Sequence, residues 1–484
     1  MTFLPLNDAG LLKSQNLING QWVDAVDGKT LAVRNPANGE LIANIPDIAG
    51  EQTDLAIATA HSAFKAWKKR TADDRARVLR RWFELMGQHK HDLALLMTSE
   101  QGKPLQEALA EIDYAASYIE WFAEEARRLY GEIVPSPWPD KRILVTREPV
   151  GVCAAITPWN FPAAMITRKV APALAAGCTI IVRPATQTPL TALAMAELAQ
   201  RAGVPPGVIS VLTGSARAIA ASLMASPIVR KLTFTGSTEV GRILAAQCAP
   251  TLKKMSLELG GNAPFIVFED ADLDQAVVGA LAAKYRNTGQ TCVCANRFLV
   301  QETVYDAFAA KLATAVRALK VGNGVEAGVA QGPLIDETAL RKVEQLVEDA
   351  TSKGAQVLTG GKRHALGQTF YEPTILTHAT SDMLLAQEEI FGPVAPLFKF
   401  RTEDEAVTMA NDTEFGLAAY FYTRDSARTW RVGAALQYGM VGINSGIIST
   451  AVAPFGGVKQ SGYGREGGRQ GIDEYVETKY LCMA

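Results

Sequence analysis

The sequence of 484 residues is poor in cysteine and histidine and carries almost no net charge. Its six cysteines are scattered, which excludes the dense disulfide framework of small secreted domains and is typical of a reducing compartment. Its five histidines form no HExxH pattern and no pair near the cysteines, so we predict no metal site. Because 48 Lys and Arg residues balance 50 Asp and Glu residues, nucleic acid and anionic membrane surfaces are disfavoured as partners.

The sequence also lacks long apolar segments, repeats and low-complexity linkers. Nowhere do about eighteen uncharged apolar residues follow one another, and the amino-terminal segment MTFLPLNDAGLLKSQ has no basic region followed by an apolar core. We therefore expect a cytoplasmic protein with no membrane partner. The length exceeds what one growing core supports, so we expect two or three domains, and 48% apolar residues suffice for their cores.

Apolar strands and helices alternate in the middle of the chain. The segments GVCAAIT (151–157), CTIIVRPA, GVISVLTG, VRKLTFTG and KKMSLEL are typical of strands, and FPAAMITRKVAPALAAG and TPLTALAMAELAQRAG of helices between them. This order predicts a doubly wound α/β sheet with parallel strands and right-handed crossovers. Such sheets bind ligands beyond the carboxyl ends of their strands, where the loops TPWN, RPAT and FTGS lie.

The flanking segments have a different pattern. A second α/β stretch runs from PFIVF (264–268) to about residue 450, and residues 51–130 are predicted to form amphipathic helices. The segments KRILVTREP and DEYVETKYLCM have strand character but lie outside the rhythm of both sheets. Because exposed strand edges are usually covered, these two segments are candidates for pairing with another subunit.

Three glycine motifs invite comparison with dinucleotide-binding turns. GYGREG (462–467) and GNGVEA (322–327) fit GxGxxG/A, but neither is followed by a long helix, a strand and an acidic residue about twenty positions on. GSTEVG (236–241) is the better candidate, because it leaves an apolar strand and opens a helix that Ser237 can cap beside a phosphate. Alone, this signal is equally typical of an ordinary strand-to-helix turn.

Five motifs together change that assessment. They are PWNFP (158–162), LELGGNAP (257–264), GQTCVCANR (289–297), EEIFGPV (388–394) and PFGGVKQSGYGRE (454–466). In this order, and over nearly the whole chain, the sequence resembles the aldehyde dehydrogenase superfamily. AMITRK (164–169), YRNTGQTC (285–292) and the CVC pair are similar to the succinate-semialdehyde dehydrogenases within it.

The resemblance implies three domains. We expect an NAD(P)-binding domain at 1–130 and 149–258, and a catalytic domain at 259–452. A small β oligomerisation domain is expected at 131–148 and 453–484, which include the two unassigned strands, and it implies a homo-oligomer, a dimer or a tetramer.

The resemblance assigns catalysis to three residues. Cys292 matches the nucleophile whose thiolate attacks the aldehyde carbon and holds it for hydride transfer; a lone cysteine is otherwise a small core residue. Asn160 matches the donor that stabilises the oxyanion beside the Cys292 backbone N–H, and is otherwise a turn former. Glu258 matches the base that activates water against the thioester, rather than a residue that only ends a strand.

The family implies NAD or NADP as cofactor, and RPAT (183–186) bears on the choice. NAD-selective members commonly have glutamate at the position of Thr186, and here that carboxylate is absent. Arg183 stands where lysine is usual, and its planar guanidinium can bind a phosphate with two N–H groups. We predict that NADP is preferred and NAD is accepted. The other cofactor contacts implied by the match are Ile156, Pro158, Trp159, Gly236, Ser237, Leu259, Glu389 and Phe391.

The substrate implied by the closer resemblance is a semialdehyde with a carboxylate tail. Arg168, Arg286 and Ser449 fall at the positions that bind this carboxylate in the succinate-semialdehyde group. Any one of these arginines is otherwise an ordinary surface residue in a salt bridge. Glutarate semialdehyde is one methylene longer, a difference worth only about 1–3 kcal/mol in discrimination, so it stays an alternative, as does a broader aldehyde range.

Cys294 has two interpretations. In some relatives the same spacing allows a disulfide with the nucleophile, and such a short loop would be strained and easily reduced, as a reversible switch requires. The alternative is that Cys294 only packs.

Two non-enzymatic hypotheses also fit parts of the sequence. A thiol-disulfide protein using CVC leaves Glu258 and Asn160 unexplained, and a cofactor-binding sensor predicts the loss of a catalytic residue, whereas none is missing. A related enzyme that forms acyl-CoA normally lacks the glutamate at 258. The sequence therefore favours oxidation of a semialdehyde to the acid.

Overall fold

A computed structural model describes residues 4–484 of the chain. The helices are α1 Gly50–Trp67, α2 Ala72–Gln88, α3 Lys90–Gln101, α4 Leu105–Glu125, α5 Ala164–Ala176, α6 Leu190–Arg201, α7 Ala216–Ala225, α8 Thr238–Cys248, α9 Leu273–Lys284, α10 Tyr305–Arg317, α11 Glu337–Ser352, α12 Leu384–Gln387, α13 Glu403–Asn411, α14 Ser426–Ala435 and α15 Gln470–Asp473. The first eleven strands are β1 Asn16–Ile18, β2 Gln21–Val23, β3 Thr30–Arg34, β4 Leu41–Pro46, β5 Glu132–Val134, β6 Arg142–Pro149, β7 Val152–Ile156, β8 Thr179–Arg183, β9 Ile209–Val211, β10 Val229–Thr235 and β11 Lys254–Glu258. The others are β12 Ala263–Val267, β13 Ala295–Gln301, β14 Gln356–Thr359, β15 Thr374–Thr377, β16 Val394–Phe400, β17 Ala418–Tyr422, β18 Met440–Ile443, β19 Gly462–Tyr463 and β20 Val476–Met483.

The first large sheet has the strand order β19-β11-β10-β7-β8-β9-β1-β2. Its five central strands are parallel, which confirms the doubly wound sheet predicted from the alternating pattern. Register brings the carboxyl ends of four strands together, because Ile156 pairs with Arg183 and Phe234, and Thr235 pairs with Glu258. The residues of the predicted loops therefore start from one edge of this sheet.

The second large sheet has the order β14-β15-β16-β13-β12-β17-β18. The six strands β15, β16, β13, β12, β17 and β18 pair in parallel. Strand β14 lies antiparallel to β15, as an edge strand of an α/β sheet often does. Cys292 lies just before β13 of this sheet, and Glu258 ends β11 of the first sheet. The fold thus brings together two residues from different sheets.

The two strands without an assigned sheet pair with each other. β20 lies antiparallel to β6 over its whole length, and β5 covers the other edge of β6. The segment 453–484 does not all belong to this three-stranded sheet, since β19 instead pairs antiparallel with β11. The hairpin β1–β2 also joins the first sheet antiparallel to β9, an addition that alternation of strands and helices does not predict.

Helix α5 is buried along all of its thirteen residues, between α4 and the first sheet. It is mostly small and apolar, which permits this close packing, yet it contains Arg168 and Lys169. A buried helix with two cations requires anionic partners, and α5 follows directly on the loop that contains Asn160. None of the helices within residues 4–484 combines the length and apolar character that crossing a membrane requires.

Candidate active site

Cys292 borders two cavities. The large cavity has a volume of about 510 Å³ and is bounded by residues that follow β7, β10 and β11, by α11 and by the segment 389–391. The small cavity shares only Cys292 and Met165 with it and is otherwise bounded by residues of α4, α5 and the loops at 286–293 and 449–455. The large cavity can hold a molecule that reaches the sulfur, whereas the small cavity has a volume of about 20 Å³ and its lining side chains must move before it holds more than a water molecule.

The loop that presents Cys292 is held in an unusual conformation. Asn287 (φ 52°) and Thr288 (φ 56°) are both left-handed, and the Gln290 side chain closes the turn by donating to the Asn287 carbonyl at 3.2 Å. A Cβ at Gly261 would lie 2.4 Å from the Cys292 carbonyl oxygen. Two glycines follow Leu259 in the segment LELGG. Gly260 lines the large cavity, whereas Gly261 is required by the cysteine loop.

Asn160 lies beside this loop and is 2% exposed. Its side-chain Nδ2 donates to the Gln290 carbonyl at 3.0 Å, and it lines the large cavity with Cys292. An amide nitrogen has two hydrogens, so one stays available to an oxygen that develops charge near the sulfur. An amide hydrogen beside a nucleophile is the type of group that can stabilise an oxyanion.

The thiol of Cys292 is surrounded largely by protein. Burial raises the pKa of Cys292 to about 12, and the Arg168 guanidinium is the main group that opposes this rise. In the cofactor-free protein the thiolate is therefore a small fraction at neutral pH, and added positive charge near the sulfur would increase it.

Glu258 is 2% exposed and does not line either cavity. Within residues 4–484 neither of its carboxylate oxygens has a hydrogen-bond partner. Burial and then the neighbouring Glu466 carboxylate raise the pKa of Glu258 well above its ordinary value, against the opposing charges of Arg168 and Lys169. Once it is ionised, a carboxylate with a raised pKa and no fixed partner is a stronger base and is suited to accept a proton from water.

Seven of the ten residues expected to contact the cofactor line the large cavity. They are Pro158, Trp159, Gly236, Ser237, Leu259, Glu389 and Phe391. Ser237 caps α8 by accepting from the Val240 N–H, as the GSTEVG motif predicts. Trp159 and Phe391 pack edge to face at 5.5 Å, with Phe391 in a left-handed conformation.

The other three, Ile156, Arg183 and Thr186, lie at and after the carboxyl ends of β7 and β8. Arg183 donates to the Thr186 hydroxyl at 2.8 Å. Burial without a compensating carboxylate lowers the pKa of Arg183 to about 10. Its Nε has no partner among the described residues. A half-buried guanidinium in this state can accept an anionic ligand without giving up an ion pair.

Glu389 contacts the backbone that follows Glu258. Its Oε1 accepts from the Gly261 N–H at 3.0 Å, and the ammonium of Lys342 donates to the Glu389 carbonyl at 2.6 Å. Burial raises the pKa of Glu389 to about 7. The second carboxylate oxygen stays free to accept hydroxyl groups from a ligand in the large cavity.

The fold brings Arg168, Arg286 and Ser449 together around the small cavity with Cys292. These residues are far apart in sequence, and they come from α5, the turn after α9 and the loop after β18. Nε and Nη2 of Arg168 make no hydrogen bond of normal geometry within residues 4–484, and the same holds for Nε of Arg286. A buried group of cationic donors beside a nucleophile is suited to a substrate with an anionic tail.

Arg168 is also paired with Glu466, a residue that sequence reasoning missed. Glu466 forms close ion pairs with both Arg168 and Lys169, and Lys169 donates to the Thr235 hydroxyl at 2.7 Å. Arg168 lies over the Phe455 ring at 4.4 Å. Glu466 belongs to the quoted segment PFGGVKQSGYGRE, so its position was signalled, but the contact with α5 spans 297 residues and needs the fold.

Further residues that the sequence analysis did not single out bound the small cavity. Met165 borders both cavities, and Tyr114 of α4 faces the same space as Arg168, with its hydroxyl 2.7 Å from that of Tyr118. Phe161 lies in the motif PWNFP and was available to sequence reasoning. Tyr114 was not, because an aromatic residue on an amphipathic helix is usually a core residue.

Cys294 is buried, and both it and Cys292 are free thiols. Its Sγ donates to the Lys284 carbonyl at 3.6 Å, and burial raises the pKa of Cys294 while the Lys284 charge opposes the rise. The Lys284 ammonium has no hydrogen-bond partner in the described chain, and burial lowers its pKa to about 8. These contacts are compatible with a packing role and with a redox role for Cys294.

The chain is similar to known proteins over nearly its whole length. The model of the aldehyde dehydrogenase family matches residues 22–481. The glutarate-semialdehyde dehydrogenase of Pseudomonas aeruginosa is 61% identical over 480 residues, 99% of either chain. The NADP(+) succinate-semialdehyde dehydrogenase GabD of Escherichia coli strain K12 is 59% identical over 99% of this chain and 100% of its own. The crystal structure of succinate-semialdehyde dehydrogenase from Burkholderia pseudomallei superimposes with a TM-score of 0.99 at 61% identity, covering 99% of this chain and 100% of that chain.

Proposed function

Because the chain belongs to the aldehyde dehydrogenase family, we propose that it oxidises succinate semialdehyde to succinate with NADP or NAD. The observation that carries this proposal is that the cavity containing Arg168, Arg286 and Ser449 also contains Cys292. A carboxylate bound by the guanidinium groups would leave the aldehyde end of a short chain at the sulfur. Two full-length relatives that act on dicarboxylic semialdehydes support the same substrate class.

The reaction requires each proposed catalytic residue in turn. The Cys292 thiolate attacks the aldehyde carbon, and the resulting oxyanion is held by Asn160 Nδ2 and the Cys292 N–H. When bound, the nicotinamide cofactor supplies the hydride acceptor. Loss of hydride leaves a thioester on Cys292, and Glu258 takes a proton from the water that cleaves it, which restores the thiol and releases the acid.

The residues of the large cavity fit a dinucleotide. The capped start of α8 has backbone N–H groups suited to a phosphate, and Glu389 has a carboxylate oxygen for ribose hydroxyls. Arg183 and Thr186 lie beyond the cavity, where we propose that they bind the 2′-phosphate of NADP. Within residues 4–484 Arg183 forms no ion pair, which supports this, since no carboxylate has to be displaced.

Glutarate semialdehyde is the second candidate substrate. A relative with 61% identity carries that name, and the tail cations do not by themselves measure chain length. The side chains of Tyr114, Phe161, Met165 and Phe455 bound the space that one more methylene would have to enter. We rank succinate semialdehyde as the first candidate because a relative and a superimposed crystal structure both carry the name succinate-semialdehyde dehydrogenase.

The test is a substrate and cofactor panel followed by absorbance of the reduced nicotinamide. Succinate semialdehyde, glutarate semialdehyde and butanal are each assayed with NADP and with NAD. We expect kcat/KM for succinate semialdehyde to exceed that for butanal by about 100-fold or more, since charge-assisted hydrogen bonds to the tail are each worth about 1.5–3 kcal/mol. Equal values for the acidic and uncharged aldehydes would refute the tail subsite.

Two variants separate the enzyme from the non-enzymatic hypotheses. If the protein is the proposed enzyme, Cys292→Ala is expected to abolish turnover. If it is a cofactor-binding sensor, neither the wild type nor Cys292→Ala would show turnover, and cofactor binding would be the same in both. Glu258→Gln is expected to give one equivalent of reduced cofactor per subunit and then a slow phase, because hydride transfer occurs but the thioester persists. A linear time course without this burst would contradict the role of Glu258.

We also propose that Cys294 restrains the nucleophile under oxidation. The short spacing between the two free thiols supports this, and packing alone is the competing explanation. Hydrogen peroxide treatment should then cause a loss of activity that a dithiol reverses in the wild type and not in Cys294→Ala. We further propose a cytoplasmic homo-oligomer, supported by the free cysteines and the exposed three-stranded sheet.

A further inference from the structure

A buried ion pair lies behind the loop that presents Asn160. Lys103, which follows α3, and Glu111, on α4, are 2% and 3% exposed. The Lys103 ammonium donates to Glu111 Oε2 at 2.5 Å and to the backbone carbonyl of Asn160 at 2.8 Å. It also lies 4.1 Å from the centre of the Phe161 ring. Its positive charge is thus shared between a carboxylate, a peptide carbonyl and an aromatic face.

Glu111 holds the other end of the same loop. Its Oε1 accepts the backbone N–H of Ala163 at 3.0 Å and that of Ala164 at 3.3 Å, at the start of α5. Lys103 and Glu111 therefore fix the backbone at 160 and at 163–164 simultaneously. A five-residue segment fixed at both ends by a buried pair has little freedom to rotate.

The pair connects with the cysteine loop through one more residue. Asn287 Nδ2 donates to the Asn160 carbonyl at 2.9 Å, and Asn287 Oδ1 accepts from Gln101 Nε2 at 3.0 Å. The backbone N–H of Asn287 donates to Glu107 on the same helix as Glu111. The Asn160 carbonyl is thus held from both sides, by Lys103 and by the loop that continues to Cys292.

We propose that Lys103 and Glu111 are positioning residues for oxyanion stabilisation, whose ion pair fixes the Asn160 backbone so that its side-chain amide is directed to the carbon attacked by Cys292. This inference rests on the proposed function, because it assumes that Asn160 is the oxyanion donor. A donor misplaced by about 1 Å can cost about 100-fold in rate, which is why a residue that never touches substrate can have a large effect.

The test compares two reactions of Cys292 that need no cofactor. Hydrolysis of p-nitrophenyl acetate passes through a tetrahedral oxyanion on the attacked carbon, whereas alkylation by iodoacetamide displaces iodide and forms no oxyanion. The full-length enzyme is studied as Lys103→Met combined with Glu111→Gln, since a single change would leave one charge buried without its partner. We expect ester hydrolysis to fall about 10- to 100-fold and the alkylation rate to stay within about twofold.

Glu100 offers a matched control. It is also a buried carboxylate that caps a helix, accepting the N–H groups of Leu190 and Thr191 at 2.7 and 2.8 Å, but within residues 4–484 it forms no hydrogen bond with residues 160–164. Glu100→Gln should leave both rates within about twofold. If the paired variant fails to fold, Lys103→Arg keeps the charge and its pairing with Glu111 but changes the donor geometry at the Asn160 carbonyl, and it should show a smaller loss in ester hydrolysis only.

A double-mutant comparison distinguishes positioning from general damage. In an Asn160→Ala background the Lys103/Glu111 changes should cost less than about threefold more, because the group they position is already absent. Equal falls in ester hydrolysis and alkylation, or a full additional loss in the Asn160→Ala background, would overturn the proposal. An enzyme that hydrolyses the ester but does not oxidise semialdehydes would refute the proposed substrate and leave this inference intact.

Discussion

At the scale of single residues, sequence reasoning identified side chains whose chemistry is explicit in a short motif. Cys292, Asn160 and Glu389 each lie in such a motif, and all three line the large cavity. The residues that it missed act through distant contacts. Lys103 reaches a carbonyl 57 residues away, and Glu466 pairs with α5 across nearly 300 residues. Nothing local in a sequence specifies such a contact, because it exists only after the sheets and helices have packed.

We expect the cofactor preference to depend on the Arg183 guanidinium. Arg183→Ala should raise the KM for NADP about 10- to 100-fold and change that for NAD by less than about threefold, since a hydrogen bond to a charged group is worth about 1.5–3 kcal/mol. Initial rates with each cofactor at saturating aldehyde measure this. Arg201→Ala, which removes a surface arginine paired with Asp8, is the control and should change neither. An unchanged NADP to NAD ratio in Arg183→Ala would contradict the assignment.

The raised pKa of Cys292 sets a pH dependence. Since burial favours the neutral thiol and brings the pKa to about 12, the thiolate fraction should rise about tenfold per pH unit over the alkaline range. The rate of iodoacetamide labelling of the cofactor-free protein, measured from about pH 7 to about pH 10, reports this thiolate fraction. Arg168→Met removes the main opposing charge and should lower the rate at every pH. A plateau beginning near neutral pH would show that the thiol is already ionised.

At the scale of secondary-structure elements, alternating apolar segments predicted β7 to β11 and the helices between them. The structure confirms these strands. They could be predicted because regular apolar patterns are a strong signal of secondary structure. It differs where elements are short or irregular. The two-residue strand β19 has no periodicity from which to predict it, and it lies at the edge of the first sheet. The segments KRILVTREP and DEYVETKYLCM, considered for contacts between subunits, pair within the chain as β6 and β20.

Strand β19 supports the end of β11, where Glu258 lies. Gly462 pairs with Glu258, has a φ of 106°, and a Cβ there would lie 1.9 Å from the Leu257 carbonyl oxygen. Gly462→Ala should therefore lower the unfolding free energy by about 1–3 kcal/mol or more and reduce turnover through Glu258. Urea unfolding and steady-state rates measure the two effects.

Gly203→Ala is the control for that substitution. Gly203 has a φ of 94° but nothing within 4 Å of a Cβ, so it shares the backbone strain without the clash. It should cost stability and leave turnover unchanged. If both variants lose stability equally and Gly462→Ala keeps full activity, β19 does not position Glu258.

At the scale of the whole molecule, the domain assignment and the oligomeric state remain predictions. The two large sheets each have their own core, and the three-stranded sheet projects a strand, β20, of which only the first residue is buried. Ile133, Tyr480, Leu481 and Met483 are exposed on this sheet. Apolar residues along an unpaired edge are usually covered by another chain, which sequence composition alone could not localise.

Oligomer formation should depend on this sheet. The combined change Leu481→Lys and Met483→Lys is expected to shift the protein from a dimer or tetramer to smaller species, because two charges would have to be desolvated at the contact. Sedimentation velocity at several concentrations measures the shift. Val26→Lys, at a residue 80% exposed on a distant turn, should leave the distribution unchanged. A wild-type protein that sediments as a monomer at all concentrations would contradict the homo-oligomer.

The arrangement of the two cavities around Cys292 has a kinetic consequence. Since they have only that cysteine and Met165 in common, the other residues that bound each cavity are separate. An inert dicarboxylate lodged among the arginines would thus compete with the aldehyde while leaving dinucleotide exchange open. Inhibition by such a dicarboxylate should therefore be competitive with the aldehyde and not with the dinucleotide.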